Sequence, residues 1–499
     1  MEGMNFSELK RNMTGTRALN EGDAEITGIA YDSRDVEPGF VFVARKGGTF
    51  DGHDFIADAL AAGATAIVAE RPVYAAVEAG APYVVVENGR RAMGEIAAPF
   101  YGYPARELTL VGVTGTSGKT TVTHLIQSVF AASGKKAGLI GTLGARIGEE
   151  LLETKHTTPE SVDLQRILRL MVDRGVQAVA MEVSSHGLYQ GRVVGCEFDC
   201  GVFTNIARDH LDFHRTPEAY LDAKLMLFRD YPAMSSKRFV GAVNADDPSV
   251  EAFVAAAPGR VITFGVESPA DVSAQVAVVT DRSVSFDMAY RGSTARGHLG
   301  IGGAFNVYNA LAASAAGIAL GLDLDTIVKG LRQARGVAGR FEAVECGQDF
   351  GVLVDYAHTP DELENVLRTA KELTSGRLIV VFGCGGNRDR GKRPIMGRIG
   401  VDLADAVVIT SDNPRSEEPE AIINEILEGV PEADKSRVDV VVDRKEAIES
   451  AIERAERGDL VVIAGKGHED YQIFADRTIH FDDHEVAREA LSRGVDSEQ

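Results

Sequence analysis

The stretch Leu108-Thr-Leu-Val-Gly-Val-Thr-Gly-Thr-Ser-Gly-Lys-Thr-Thr-Val-Thr-His-Leu-Ile126 restricts the choice of fold more than any other: an apolar strand runs through a Gly-rich turn into a helix. Such a turn cradles phosphate. Gly115 and Gly118 allow backbone N–H groups to aim inward, the helix N-terminus adds partial positive charge, and Lys119 supplies a full one. Thr120 then offers a hydroxyl to a phosphate-bound Mg²⁺. Glycine stands at 112 and 115 instead of at the leading position of the general P-loop pattern, so the reading rests on the flanking strand and helix and on Lys-Thr-Thr in its place. The alternative is a tight turn that binds nothing.

At 499 residues and 44% hydrophobic composition the chain can bury several cores, and its length suggests roughly three domains. No run of about 18 apolar residues is present, and Met-Glu-Gly-Met-Asn-Phe-Ser-Glu lacks the basic and apolar parts of a signal peptide, which points to the cytoplasm. Cys196, Cys200, Cys346 and Cys384 are too few and too unevenly spaced for a disulfide framework or a zinc site. A formal charge of −22 argues against nonspecific binding to nucleic acid or anionic membrane.

The first 100 or so residues alternate short apolar runs (26–31, 39–44, 66–69, 82–87) with a helical pattern over 54–62, a small α/β module. The polar loop Asp32 to Gly39 reads as a turn. Gly and Pro punctuate 101–106, the expected joint to a second domain whose further strands are predicted at 178–183, 201–205 and 239–243 in βα alternation. Ligands of such sheets sit at the carboxyl ends of strands, where Glu182, His210 and, on the next helix, Lys224 fall. Glu182 and Thr120 are natural oxygen ligands for Mg²⁺, and His210 a less usual one. Strands over 261–264, 274–279 and 283–290 precede an Ala-rich helix, where Asn306 and Asn309 share a face; helix capping and recognition of a purine edge both fit this pair.

From Gly339-Arg-Phe-Glu342 onward, apolar runs at 351–355, 377–382, 406–410, 438–442 and 460–464 read as a doubly wound sheet. Polar clusters follow four of these runs, at 355–361, 383–393, 411–416 and 465–469, which together predict a site for anions and amines.

Taken in order, Gly115-Thr-Ser-Gly-Lys-Thr-Thr121, Met181-Glu-Val-Ser-Ser-His186, Thr204-Asn-Ile-Ala-Arg-Asp-His-Leu-Asp212, Gly339-Arg-Phe-Glu342, Asp355-Tyr-Ala-His-Thr-Pro-Asp361 and Lys466-Gly-His-Glu469 resemble the motifs of the Mur ligases of bacterial cell-wall synthesis, across nearly the whole chain. The resemblance implies an α/β fold of three domains: a small UDP-binding domain (1–104), a central P-loop domain with a mostly parallel sheet (105–337), and a Rossmann-like doubly wound domain that takes the amino acid (338–499). Asp412-Asn-Pro-Arg415 looks like the signature of the member that adds meso-diaminopimelate to UDP-N-acetylmuramoyl-L-alanyl-D-glutamate. An Arg fork can grip the extra carboxylate that lysine lacks.

By the same resemblance Gly115, Thr116, Ser117, Gly118, Lys119, Thr120, Thr121, Asn306, Asn309, Arg340 and Asp355 address ATP. Ser33, His156, Thr157, Thr158, Ser184, Gln190, Arg192 and Lys224 hold the muramoyl dipeptide, His156 standing where many relatives carry Asn. Arg388, Asp412, Asn413, Pro414, Arg415, Gly465 and Glu469 hold diaminopimelate; Thr120, Glu182, His210 and a CO₂-carbamylated Lys224 position Mg²⁺; and Lys119, Glu182, His210 and Lys224 act in catalysis. Apart from the resemblance, His358 and Asp361 are candidates to help the amine site. The implied reaction is an ATP-driven amide synthesis through an acyl phosphate, in a monomer that serves peptidoglycan synthesis and so cell shape and division. A lysine-adding relative, a folylpolyglutamate synthetase and a non-ligase P-loop ATPase are the rival readings.

Overall fold

The computed structural model describes residues 3–47, 50–78 and 80–496, and builds them around three successive sheets. In the first, strands Gly28–Ala30, Phe40–Ala44, Ala66–Ala69 and Tyr83–Val85 run parallel, and Arg17–Asn20 closes the far edge antiparallel. Alternate residues serve opposite faces, as the two-residue period of a strand requires. Val41, Val43 and Val68 meet Met93 and Ile96 of the helix Gly89–Phe100, while Phe42, Ala44 and Ile67 meet Ile56 and Ala59 of the helix Ile56–Ala61.

The central sheet has eleven strands. Its parallel heart places the phosphate-loop strand Thr109–Thr114 between Ala178–Glu182 and Cys200–Phe203. Val111 and Val113 pack under the helices Lys119–Ala132 and Phe305–Ala319, and Leu110 packs on the other side with Leu164, Leu168 and Met171. A sheet buried on both faces explains why this strand is apolar nearly throughout. The register sets Glu182 beside Val113 and Phe203 beside Thr114, so three chain segments leave the sheet at one edge and converge on the phosphate loop.

In the last sheet the order is Glu342–Ala343, Gly351–Asp355, Leu460–Ala464, Leu378–Phe382, Ala406–Ile409 and Val438–Val440, parallel except for the first pair. All four polar clusters singled out from the sequence leave this sheet at the carboxyl edge of their strands.

Several strands escape the pattern reading. Arg17–Asn20, Ala137–Gly141, Gly144–Ile147, Glu150–Leu152, Ser293–Leu299 and the hairpin Tyr471–Ile473/Thr478–His480 carry too much Gly or polar character to announce themselves. The helix Phe305–Ala319 is capped at Ala304, so Asn306 lies inside its first turn and is not the capping residue.

Candidate functional site

Gly115 leaves the strand at φ 151°, and a Cβ there would stand 1.8 Å from Thr204 Oγ1. Gly118, at φ 82°, begins the helix, and a Cβ on it would meet Asn309 Oδ1 at 2.5 Å. Only glycine meets both demands. The loop is braced from outside: Thr204 Oγ1 donates to Ser117 O (2.7 Å), Ser117 N donates to Asn205 Oδ1 (3.0 Å), and Thr116 N donates to Asn205 O (2.9 Å). Asn309 Nδ2 donates to Asn306 Oδ1 (2.7 Å) and Asn306 Nδ2 to Gly302 O (2.6 Å), so the two amides form a buried chain against the loop.

Two lysines meet at one carbonyl. Lys119 Nζ donates to Gly115 O (3.0 Å) and Thr116 O (2.6 Å), and Lys224 Nζ donates to the same Gly115 O at 2.7 Å. Burial lowers the Lys119 pKa; burial, with the Lys119 charge adding to it, holds Lys224 well below the usual lysine range. Lys224 is 1% exposed, and that burial disfavours its charged form, while the Tyr220 ring centre at 4.3 Å and the Gly115 carbonyl act in the other direction.

Glu182 reaches the same loop because Gly141 opposite it has no side chain: a Cβ there would lie 2.3 Å from Glu182 Oε1. That carboxylate accepts from Thr142 N (2.8 Å), Thr142 Oγ1 (3.2 Å) and Thr120 Oγ1 (3.1 Å). The carboxylate and hydroxyl oxygens of Glu182 and Thr120 suit Mg²⁺, which takes one or two carboxylates and completes its shell from water and phosphate. Among the described residues no group of three or more His, Cys, Asp or Glu side chains forms a ready metal cage. His210, at φ 52°, sits with its ring 4.7 Å from that of His186 and its Nε2 3.2 Å from Asp209 Oδ2; burial lowers its pKa.

Arg340 crosses from the last domain to this loop, its Nη2 3.4 Å from Thr120 Oγ1 and its guanidinium 4.7 Å from the Tyr356 ring centre. Asp355 is committed to the backbone, accepting from Phe341 N (2.6 Å) and Ala357 N (2.8 Å); burial pushes its pKa up to about 6. It fixes the turn that carries Arg340.

Beyond the loop lies a cavity of about 660 Å³ between the central and last domains, lined by His186 and His210 on one side and by Arg388, Asp412, Asn413, Arg415, Gly465 and Glu469 on the other. His358 and Asp361 also line it; Pro414 does not. Arg415, at φ 55°, donates through Nη1 to Gly386 O at 2.9 Å; burial, then Arg388, lowers its pKa. The fully buried Arg393 ties down the preceding loop by bonding Gly385 O, Glu417 and Glu425.

A second cavity, about 690 Å³, separates the first domain from the central one and is lined by Tyr31, Asp35, Arg45, His156, Glu160 and Asp163 among others. Arg90 Nη1 bonds both Glu160 oxygens (3.0 and 3.2 Å), while Arg45 and Arg192 each stand 3.5 Å from Oε1. Three guanidinium groups share this one carboxylate, while Asp35 and Asp163 also line the cavity. Gln190 Oε1 accepts from Arg192 Nη2 (2.8 Å); Thr158 Oγ1 donates to Glu182 O (3.0 Å) and lies 3.1 Å from Ser184 Oγ, which caps a short helix by accepting from Gly187 N (3.1 Å); Thr157 Oγ1 lies 3.2 Å from Thr142 Oγ1. Ser33 opens a 3₁₀ turn next to this cavity, capped by Asp32, which is the turn expected of that loop.

Three family models match in succession: "Mur ligase family, catalytic domain" at 25–101, "Mur ligase middle domain" at 113–317, and "Mur ligase, glutamate ligase domain" at 339–467. The chain is 48% identical over 480 residues (96% of it, 97% of the relative) to the UDP-N-acetylmuramoyl-L-alanyl-D-glutamate--2,6-diaminopimelate ligase of Halalkalibacterium halodurans. It is 46% identical over 471 residues (94% and 95%) to the protein of the same name in Bacillus licheniformis. The chain belongs to the Mur ligase family. A solved structure of that name matches with TM-score 0.69 at 33% identity over 99% of both chains. The MurF ligase of Thermotoga maritima, solved with ADP, shares the fold at TM-score 0.65 and 20% identity, over 95% of this chain and 98% of that one.

In this Mur ligase the sequence motifs named the strand-end loops but passed over what shapes them. Gly141 and Thr142 around Glu182, Thr204 and Asn205 under the phosphate loop, and Arg45, Arg90 and Glu160 at the second cavity all belong to the sites. Thr204 and Asn205 sit inside a quoted motif; the others carry no local signature, because the contacts that define them span tens of residues.

Proposed function

We propose that this Mur ligase joins meso-diaminopimelate to the D-glutamate of UDP-N-acetylmuramoyl-L-alanyl-D-glutamate at the expense of ATP, as a cytoplasmic step of peptidoglycan precursor synthesis. The observation that carries the reading is the cavity that brings Arg388, Asp412, Asn413, Arg415 and Glu469 opposite the phosphate loop's own domain. In the proposed division, residues 1–104 bind the uridine nucleotide, 105–337 bind ATP and 338–499 bind the amino acid.

A carboxylate has no leaving group, so amide formation needs activation. The γ-carboxylate of D-glutamate attacks the γ-phosphorus of ATP, and the bond to the bridging oxygen breaks with release of ADP. The amine of diaminopimelate then attacks the acyl carbon, loses a proton and expels phosphate. Gly115 to Thr121 hold the triphosphate, and Lys119 turns from the loop carbonyls toward it; Asn306 and Asn309 back the loop, and Arg340 reaches in from the last domain. Mg²⁺ supplies charge neutralisation on the phosphates and would rest on Thr120 and Glu182. His210 lies nearby, and the burial that lowers the Lys224 pKa eases loss of its proton, which leaves the amine in the form that captures CO₂ to become an anionic carbamate.

The muramoyl dipeptide lies along Thr157, Thr158, Ser184, Gln190 and Arg192, with His156 and the Arg45–Arg90–Arg192 group toward its nucleotide end. Catalysis by this arrangement is positioning and electrostatics, with no covalent enzyme intermediate. The test is an ATP-to-product assay with the muramoyl dipeptide and a panel of amino acids: incorporation of meso-diaminopimelate over lysine is expected, and phosphate release indifferent to both substrates would refute the reading.

A further inference from the structure

The loop after the strand Leu460–Ala464 carries a lysine that never reaches the cavity. Lys466 is 0% exposed. Its Nζ donates to Asn413 Oδ1 (3.1 Å) and Tyr471 O (2.7 Å), and stands 3.4 Å from Asp412 Oδ1 and 3.8 Å from Glu469 Oε2. Asn413 Oδ1 also accepts from Ile473 N at 2.9 Å. Both partners of that oxygen are donors only, so a flipped amide would set N–H against N–H. The orientation is therefore locked, and Nδ2 donates to Glu469 Oε2 at 2.8 Å.

We infer that Lys466 is the positioning residue of the amino-acid site: it fixes the Asn413 amide and holds the Asp412 and Glu469 carboxylates at the cavity wall, where together they receive the ammonium group of the incoming diamino acid. The inference rests on the functional reading above. Asp412 Oδ1 has no hydrogen-bond donor of its own, and Lys466 is the cation set between the two carboxylates. Glu469 already titrates above the usual range through burial and then Asp412, with Lys466 opposing the rise. Behind this layer the buried Arg444–Asp483 pair (2.7 and 2.6 Å) is self-neutralising and holds Ala464 O at 3.0 Å, so it does not replace the lysine. The carboxylate of the same substrate end is left to Arg388 and Arg415 on the cavity wall.

The test is Lys466→Met in the full chain, with steady-state kinetics for all three substrates beside a thermal melt. The KM for diaminopimelate should rise about tenfold or more, with the KM values for ATP and the muramoyl dipeptide within about twofold of wild type. An unchanged diaminopimelate KM, or a parallel rise of all three, overturns the inference. Should the variant not fold, Asn413→Asp replaces it: the new carboxylate still accepts from Lys466 but cannot donate to Glu469, and the same selective rise is expected, its absence being the refuting result. Wild-type protein assayed in parallel separates the two levels, because failure of the wild type to incorporate diaminopimelate refutes the functional reading itself.

Discussion

Arg415 shows how one side chain is committed before any substrate arrives. Its left-handed backbone and its bond to Gly386 O aim the guanidinium at the cavity, where Arg388 already opposes it electrostatically. An anion between the two relieves that repulsion, whereas lysine, lacking the second carboxylate, leaves it in place. Arg415→Ala should cut the preference for diaminopimelate over lysine by roughly ten- to a hundredfold, read as the ratio of kcat/KM values; an unchanged ratio places the discrimination elsewhere. His468 makes a different commitment. Burial, reinforced by the Arg340 charge, pushes its pKa down to about 4, and its Nδ1 is buried without a partner. The unfolded chain binds that proton near pH 6.5 and the folded chain only near 4, so stability is full above pH 6.5 and is lost as pH falls through this window. Urea midpoints followed by circular dichroism should fall from pH 6.5 to 4, and His468→Gln should flatten the slope.

At the level of elements, strand ends decide where chemistry happens. The sequence announces the strand Thr109–Thr114, its Gly-rich exit and the helix behind it, because the apolar run, the glycines and Lys119 are all local. It does not announce Ala137–Gly141, whose two glycines read as loop, yet this strand pairs with Ala178–Glu182 and its last residue makes room for the Glu182 carboxylate. The same holds for the Asn306–Asn309 pair: its spacing is visible in the sequence, but the approach of Asn309 Oδ1 to Gly118 requires the fold. Local patterns thus disclose elements that carry their own signal, and tertiary packing alone discloses the ones recruited by neighbours. Gly141→Ala should drive Glu182 off Thr120 and raise the Mg²⁺ concentration for half-maximal activity by about tenfold; magnesium titration of the purified variant checks it. Gly118→Ala, strained at φ 82° and crowding Asn309, should weaken ATP binding by a similar factor, measurable by calorimetry.

Across the whole molecule the three sheets are separately cored, and the sites lie where two of them face each other. The contact between the central and last domains is thin at the phosphate loop. Arg340 touches Thr120 at 3.4 Å with its Nε buried and unbonded, and Phe305 meets Phe341 edge-on at 5.3 Å. An interface of this kind is held by few contacts, so relative motion of the domains is expected, and the linker before Gly339 is the natural hinge. Closure has a chemical purpose, since an acyl phosphate must meet an amine held on the other domain before water reaches it. Binding of a non-hydrolysable ATP analogue together with the muramoyl dipeptide should therefore contract the particle, seen as a fall in the radius of gyration by small-angle scattering. Arg340→Met should diminish that contraction and lower kcat more than it changes the KM for diaminopimelate, because this arginine spans the gap without lining the cavity. A full contraction in Arg340→Met would assign closure to the other contacts and leave Arg340 only its place beside the phosphate loop.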